Sequence, residues 1–491
     1  MTLNYKFSVK NKNVAVAGGY DVLFCDGLKS LKNSKFSKNI KESLEVLIKN
    51  DCYEFKNGSV LLMPVIEKKS VSHYVIVGYK KDKNSEVLRR AASNLGRIFR
   101  REKRKSVKAQ VAFSETISAD DLEAIVEGIS LPCYSFQKYK SDAKKNVNTV
   151  DVSFICNVKS NVAANAFKRS NKAVESVYFA RDLINEMPAA LFPESLGKIV
   201  KSKFKKPHVK VNVHNEAWLK KNKMGGILGV GQGSSKKSVL IEINYKPSKA
   251  KKHIVLVGKG VTFDSGGLSI KVGGGMVNMK MDMGGAAAVI GAMNLITELK
   301  PNVQVTALIP SVENMPDGTS YRVDDVLSMS DGSTVEVNNT DAEGRLILAD
   351  ALYWGSKKKP DAMIDVATLT GAIVVALGTS MAGLMSNDDD LASSLLQASA
   401  KTGEKLWRLP LEDDYRDSLK SYIADRKNTG SKGGSSITAA LFLEHFVKNT
   451  IWAHLDIAGT MKAESDSNLY DGQGATGFGV RVLADYVASQ A

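Results

Sequence analysis

Short apolar, β-branched runs alternate with longer stretches of helical period along the first third of the chain. VAVAGGYDVLFC, VLLMPVI and HYVIVGY read as strands, and SEVLRRAASNLGRIFR, apolar at every third or fourth position, reads as a helix. That alternation predicts an α/β domain over residues 1–162. Residues 163–187, which contain AFKRSNKAVESVYFARDLINEM and stop before Pro188, keep a helical period and predict a linking helix. Beyond it, VLIEINY, HIVLVGK, VQVTALIP and AMIDVATL are predominantly apolar runs, as the strands of a largely buried sheet are. The expected architecture is α/β in two domains. The smaller is N-terminal, and the larger, residues 188–491, has a central mixed sheet flanked by helices.

Composition narrows the class. A chain of 491 residues, 43% hydrophobic and 24% charged, is long enough for two or three complete cores and is not a disordered one. VATLTGAIVVALGTSMAGLM, residues 366–385, is uncharged and nearly long enough to span a bilayer, but its threonines and glycines favour a strand followed by a Gly-rich loop. MTLNYKFSVKNKN has no apolar core followed by a small-residue cleavage site, so no signal peptide is expected. Cys25, Cys52, Cys133 and Cys156 form no CxxC pair, and the six histidines show no HExxH or zinc-finger spacing. Buried free thiols, no membrane partner and a cytoplasmic location are the expectation.

The net charge of +16 is uneven: residues 1–252 hold 48 Lys and Arg against 23 Asp and Glu, and the remainder 20 against 29. Arg89–Lys108 and Lys201–Lys210 are dense in positive charge. Such clusters serve either as solvated surface or as a phosphate-neutralising face for DNA, with acidic membrane or protein surfaces as further options.

Three stretches carry candidate chemistry. In NTDAEGRLILADAL, Thr340 and Glu343 have capping-box spacing, and Leu346, Ile347, Asp350, Ala351 and Tyr353 divide an ensuing helix into an apolar and a polar face. In IVLVGKGVTFDSGGLSIK an apolar strand runs into Lys259, Asp264 and Lys271, with glycines that fit neither GxGxxG nor GxxxxGK[ST]. In MKMDMGGAAAVIGAM, Asp282 precedes a small-residue helix, where a lone Asp ordinarily serves as a cap. Each stretch alone suits a helix start. Together they bring Lys259, Asp264, Lys271, Asp282, Asp341, Glu343 and Arg345 into apolar surroundings, where close carboxylates cannot all ionise without cations. Divalent metals resolve that conflict, with carboxylate oxygens as ligands and one lysine amine, if neutral, as a further one.

These residues resemble the leucyl aminopeptidases of the M17 peptidase family, of which NTDAEGRL is the hallmark. VGKGVTFDSGG and MKMDMGGAA are similar to the family's other two metal-binding segments. The likeness continues through ENMPDG, DVATLTGA, LWRLPL, SYIADRKNTG, HLDIAG and GATGFGVR. The resemblance implies one metal held by Lys259, Asp264, Asp282 and Glu343. A second is implied on Asp264, Asp341 and Glu343, with the Asp341 carbonyl contributing. It also implies a bridging water activated by the pair, Lys271 beside the developing oxyanion, and a bicarbonate on Arg345 that shuttles a proton. Met279, Thr368, Gly371, Ala458 and Met461 would line the pocket for the first side chain, with leucine and methionine preferred.

By the same resemblance the substrates are peptides with a free N-terminus and the assembly is a homo-hexamer. Two divalent ions per subunit are expected, manganese or zinc foremost, with magnesium or cobalt as alternatives. Some family members bind DNA in a second role. Val272 stands where proline is usual, Asn338 where an aliphatic residue is, and YRVDDV and NEMPAALFPESL depart from the usual loops. None of these removes a ligand. A metal-binding protein that has lost catalysis is the opposing class, and the retained Lys271 and Arg345 argue against it.

Overall fold

The computed structural model describes residues 4–10, 16–67, 70–80, 85–102, 104–141, 149–464, 469–470, 472 and 474–491. The chain divides into two compact units, residues 1–178 with 464–473, and residues 179–463 with 474–491. The division falls inside the helix Ser160–Asn185, which starts three residues ahead of the expected linker. Its opening turns bury Ala163, Ala166 and Phe167 in the core of the first unit, and its closing turns belong to the second. The late return of residues 464–473 to the first unit, where Tyr470 O accepts from Arg97 Nη2 at 3.0 Å, has no signal in local periodicity.

The first unit is a six-stranded sheet in the order Asn4–Val9, Thr149–Ile155, Ser106–Phe113, Tyr20–Cys25, Ser70–Gly78, Val60–Glu67, parallel except for its last pair. Alternation along the central strand sends Val22 and Phe24 into one core and Leu23 and Cys25 into another. Helices Glu86–Arg101 and Ala119–Ser130 approach so closely that a Cβ on Gly96 or Gly128 would lie 2.2 Å from Ile129 O or Arg89 O.

Part of the basic stretch is spent inside this unit. Arg89 pairs with Glu86 and, at 2.9 Å, with Glu127; Arg90 pairs with Glu86 at 2.8 Å; Arg104 pairs with Glu102. Lys103 lies outside the described residues. The expectation of buried thiols fails at Cys52, which is exposed on a turn, while Cys25 and Cys133 are buried and all four are free.

The second unit holds a nine-stranded mixed sheet. Its spine is a parallel run of Trp452–Asp456, Ala362–Ala367, Lys252–Gly258 and Val303–Asn314. Antiparallel Val239–Tyr245 and then Val209–His214 extend one side. Ala382–Ser386 and Leu406–Arg408 extend the other, and short Gly260–Asp264 pairs with the far end of Val303–Asn314. The apolar run 366–385 is not one segment: it ends a strand, forms the helix Gly371–Leu377 and enters the next strand. Among the described residues no helix is long and apolar enough to cross a membrane.

The helix Glu343–Ser356 differs from its expected two-faced form, being buried from Glu343 through Leu352. Asp350, expected on a polar face, is fully buried and accepts from Ile227 N at 3.0 Å and Ser330 N at 2.9 Å. Burial pushes its carboxyl up to about 7 against those hydrogen bonds. The unfolded carboxyl titrates near ~3.9, so across this window the native state holds a proton that the unfolded chain has released. The contribution is therefore full at acid pH and is lost as pH rises through about 7. Asp350→Asn should remove a negative stability slope of up to about 1.4 kcal/mol per pH unit, read from denaturant midpoints at acid and neutral pH.

Candidate active site

The parallel strands of the second unit end at one edge of the sheet, the edge where α/β sheets receive ligands. Lys259 follows directly on Lys252–Gly258, and Asp264 closes Gly260–Asp264. Asp282 stands two residues ahead of the helix Gly284–Leu299, and Glu343 opens the helix Glu343–Ser356. Neither acid is a cap. The residues at those cap positions are Met283 and Ala342, with no side-chain cap bond, and the expected Thr340–Glu343 capping box does not form. Thr340 Oγ1 instead accepts from Ser269 N at 2.7 Å and donates to Gly266 O at 2.6 Å, tying two loops together.

The seven residues singled out as chemical candidates lie in this unit, and six are linked through ion pairs or a shared carboxylate cluster. The Lys259 ammonium is 2.9 Å from Asp282 Oδ2 and 2.8 Å from Glu343 Oε1, and it donates to Thr368 O at 2.9 Å. Lys271 Nζ is 2.8 Å from Asp264 Oδ2 and 2.5 Å from Asp341 Oδ1. One ligand oxygen from each of Asp264, Asp341 and Glu343 lies within 4.8 Å of the others. Asp282 joins this triplet through Lys259. A Cβ on Gly344 would lie 2.5 Å from Lys259 Cε, so the glycine of NTDAEGRL is what lets the lysine lie against the helix start. Arg345 is buried beside the cluster; its Nη1 donates to Asn428 O at 2.8 Å, while its Nε has no hydrogen-bond partner among the described residues.

Charge does not balance here. With all four ionised, the carboxylates outnumber the cations around them, Lys259, Lys271 and the neighbouring Arg345, and three of the four are buried. Burial would lower Lys259, but Asp282, Glu343 and Asp264 hold it well above the usual lysine value. Burial likewise opposes the charge on Lys271, and Asp264 and Asp341 overcome it. Burial raises Asp282 strongly despite Lys259, and Glu343 and Asp264 add to the rise. Burial with Asp264 and Glu343 close by pushes Asp341 up to about 6 despite Lys271, whereas Asp264 is held low by Lys259 and Lys271 against its own burial. Burial alone brings Arg345 down to about 10 against Glu343 and Asp456.

Asp282 Oδ2, Asp341 Oδ1 and Glu343 Oε1 lie at ion-pair distance from ammonium groups yet accept no aligned hydrogen bond among the described residues. Buried carboxylate oxygens left that way, with excess negative charge, fit divalent cations.

Residues 178–484 match the catalytic domain of the cytosol aminopeptidase family, and residues 22–143 match its N-terminal domain. The chain belongs to the cytosol aminopeptidase family. It is 40% identical over 481 residues to a probable cytosol aminopeptidase of Trichormus variabilis, covering 97% of this chain and 96% of that one. A probable cytosol aminopeptidase of Aquifex aeolicus is also 40% identical, over 97% of this chain and 95% of its own. Among solved structures, the bottromycin maturation enzyme BotP in complex with Mn has a TM-score of 0.85 at 32% identity, covering 96% of this chain and 99% of that chain.

The pocket residues expected of a cytosol aminopeptidase are spread differently. Thr368 Oγ1 donates to Asp282 Oδ1 at 2.7 Å, and a Cβ on Gly284 would meet Thr368 Cγ2 at 3.1 Å and Met461 Cβ at 3.5 Å, so these two converge beside the cluster. Ala458 is half-buried against the main core, Gly371 is exposed with open space at its Cβ position, and Met279 is half-buried on a short turn ahead of Asp282.

Sequence reading missed the residues that hold these groups in place. Asn314 Nδ2 donates to Asp264 Oδ1 at 2.8 Å and to Thr340 O at 3.0 Å, and Tyr321 OH donates to the same carbonyl at 2.6 Å. The Asn428 side chain accepts from Asn338 N at 2.8 Å and donates to Asn339 O at 2.7 Å, bracketing the approach to Asp341. Asn314 sits in ENMPDG and Asn428 in SYIADRKNTG, both noted only as likenesses.

Proposed function

We propose that this chain is a metal-dependent aminopeptidase that removes the first residue, leucine and methionine foremost, from peptides with a free N-terminus. The observation that carries the reading is the cluster of Asp264, Asp282, Asp341 and Glu343 around Lys259 and Lys271, an excess of carboxylate charge with unaligned oxygens. Family membership supports the reaction class.

In this reading Lys259, Asp264, Asp282 and Glu343 hold one divalent ion, and Asp264, Asp341 and Glu343 the other, with manganese or zinc as the ions. Such a pair, when bound, supplies an activated water and neutralises developing oxyanion charge. Lys271, half-buried and anchored between Asp264 and Asp341, keeps a positive charge at the cluster for the substrate carbonyl. The Asp282 carboxylate receives the free α-amine, which confines cleavage to the first bond. The Nε of buried Arg345, without a partner among the described residues, offers a donor for a small anion, with bicarbonate as the proposed occupant. Thr368 and Met461 frame the first side chain, and a thioether wall adapts to several apolar residues. We extend the reading to a cytoplasmic homo-hexamer.

The test is hydrolysis of a leucine chromogenic amide before and after chelation, with Mn or Zn restored. Activity that chelation abolishes and metal restores, and that is absent on the N-acetylated amide, is the expected result. No hydrolysis of leucine, methionine or arginine amides by the folded, metal-loaded protein overturns the reading.

A further inference from the structure

Asp456 is a buried carboxylate that the reaction does not use. It ends the strand Trp452–Asp456 and pairs in register with Ala367 at the end of Ala362–Ala367, so the loops leaving both strands start side by side. One loop carries Thr368 and Gly371, the other Ala458 and Met461. Asp456 Oδ1 accepts from Leu369 N at 3.1 Å and Ala458 N at 3.3 Å, one donor from each loop, with Thr370 N at 3.5 Å. Its Oδ2 accepts from Thr370 Oγ1 at 2.6 Å, and that hydroxyl lies 2.7 Å from Ser436 Oγ on the helix Ser435–Val447.

Every partner of Asp456 is a backbone N–H or a hydroxyl, so both carboxylate oxygens are engaged, Oδ1 by both loops and Oδ2 by Thr370. Burial holds the Asp456 carboxyl above its usual value, although His454, on the same face with Nδ1 2.6 Å from Asp365 Oδ1, and the hydrogen bonds from Thr370, Leu369 and Ala458 act to lower it. A buried carboxylate that accepts from both loops specifies their separation. The loop it fixes is the one whose Thr368 carbonyl receives Lys259 and whose Thr368 hydroxyl holds Asp282.

We propose that Asp456 is a positioning residue that locks loops 368–371 and 457–461 together and so sets which first residue the pocket prefers, without touching the substrate. This rests on the aminopeptidase reading above. If the wild-type chain hydrolyses no aminoacyl amide, that reading fails. If it does, the variants decide the positioning role.

The experiment measures kcat/KM for leucine and alanine amides on Mn-loaded wild type, Asp456→Asn, Thr370→Val and Thr370→Ser, with bound Mn quantified in each. An amide at position 456 turns one acceptor into a donor facing a donor, so the loops separate. The expected result is undiminished Mn in Asp456→Asn and a loss of about tenfold in leucine-over-alanine preference, carried by KM. Thr370→Val should shift preference the same way, and Thr370→Ser, which keeps the hydroxyl, should retain it. An equal fall in kcat for both substrates would place Asp456 with Arg345 instead and overturn the proposal, as would unchanged preference. Where Asp456→Asn does not fold, the Thr370 pair gives the same decision.

Discussion

Metal-free Lys259→Met should be less stable than metal-free wild type by about 3–5 kcal/mol. Lys259 is buried, and its ammonium is the cation nearest Asp282 and Glu343, themselves buried. An apolar side chain of similar length removes that charge and leaves two uncompensated carboxylates in a low-dielectric site. The same geometry predicts that a divalent ion recovers more stability in the variant than in wild type. In wild type the ammonium already occupies the space between the carboxylates and must lose a proton before its nitrogen can ligate. Denaturant unfolding with chelator and with saturating Mn measures both effects. Equal stability of the two chains in chelator would show that Lys259 does not balance the cluster.

Lys271→Ala should lower kcat about 10²–10³-fold while KM stays within about threefold and bound metal is undiminished. Its side chain reaches Asp264 and Asp341 from a loop between Gly267 and Gly273, and Gly266 and Gly267 adopt the positive φ values of 89° and 64° that bring the loop back over the carboxylates. Truncation deletes a cation, so the site becomes more anionic and keeps its hold on divalent ions. Only the charge offered to the carbonyl is lost, and that acts chiefly in the transition state. Steady-state kinetics with elemental analysis separate the outcomes. A loss of metal in proportion to activity would make Lys271 a structural partner of the carboxylates rather than a catalytic one.

Strand positions were legible because apolar β-branched runs such as HIVLVGK and AMIDVATL leave few alternatives, and buried parallel strands lack the alternation of half-exposed ones. The chemical residues were legible because charge in apolar company is costly and therefore informative. What local pattern misled on was partnership. Thr340 and Glu343 have capping-box spacing, but Thr340 is taken by Ser269 and Gly266, some seventy residues away in sequence. Asp350 lies on what periodicity makes a polar face, yet tertiary packing surrounds the helix and gives that acid backbone donors from Ile227 and Ser330. Asn314 acts on Asp264 and Thr340, Asn428 on Asn338, Asn339 and Arg345, and Asp456 on Leu369 and Thr370, partners distant in sequence that spacing cannot reveal. The return of residues 464–473 to the first unit is likewise a property of topology.

The measurement that bears most directly on the metal centre is calorimetric titration of Mn into the metal-free protein, with Glu343→Ala in parallel. Glu343 contributes to the carboxylate triplet and also meets Lys259, so its removal dismantles both proposed ion positions. Two ions bound per wild-type chain, and neither retained tightly by the variant, is the expected result. No binding by wild type, or undiminished binding by Glu343→Ala, would contradict it.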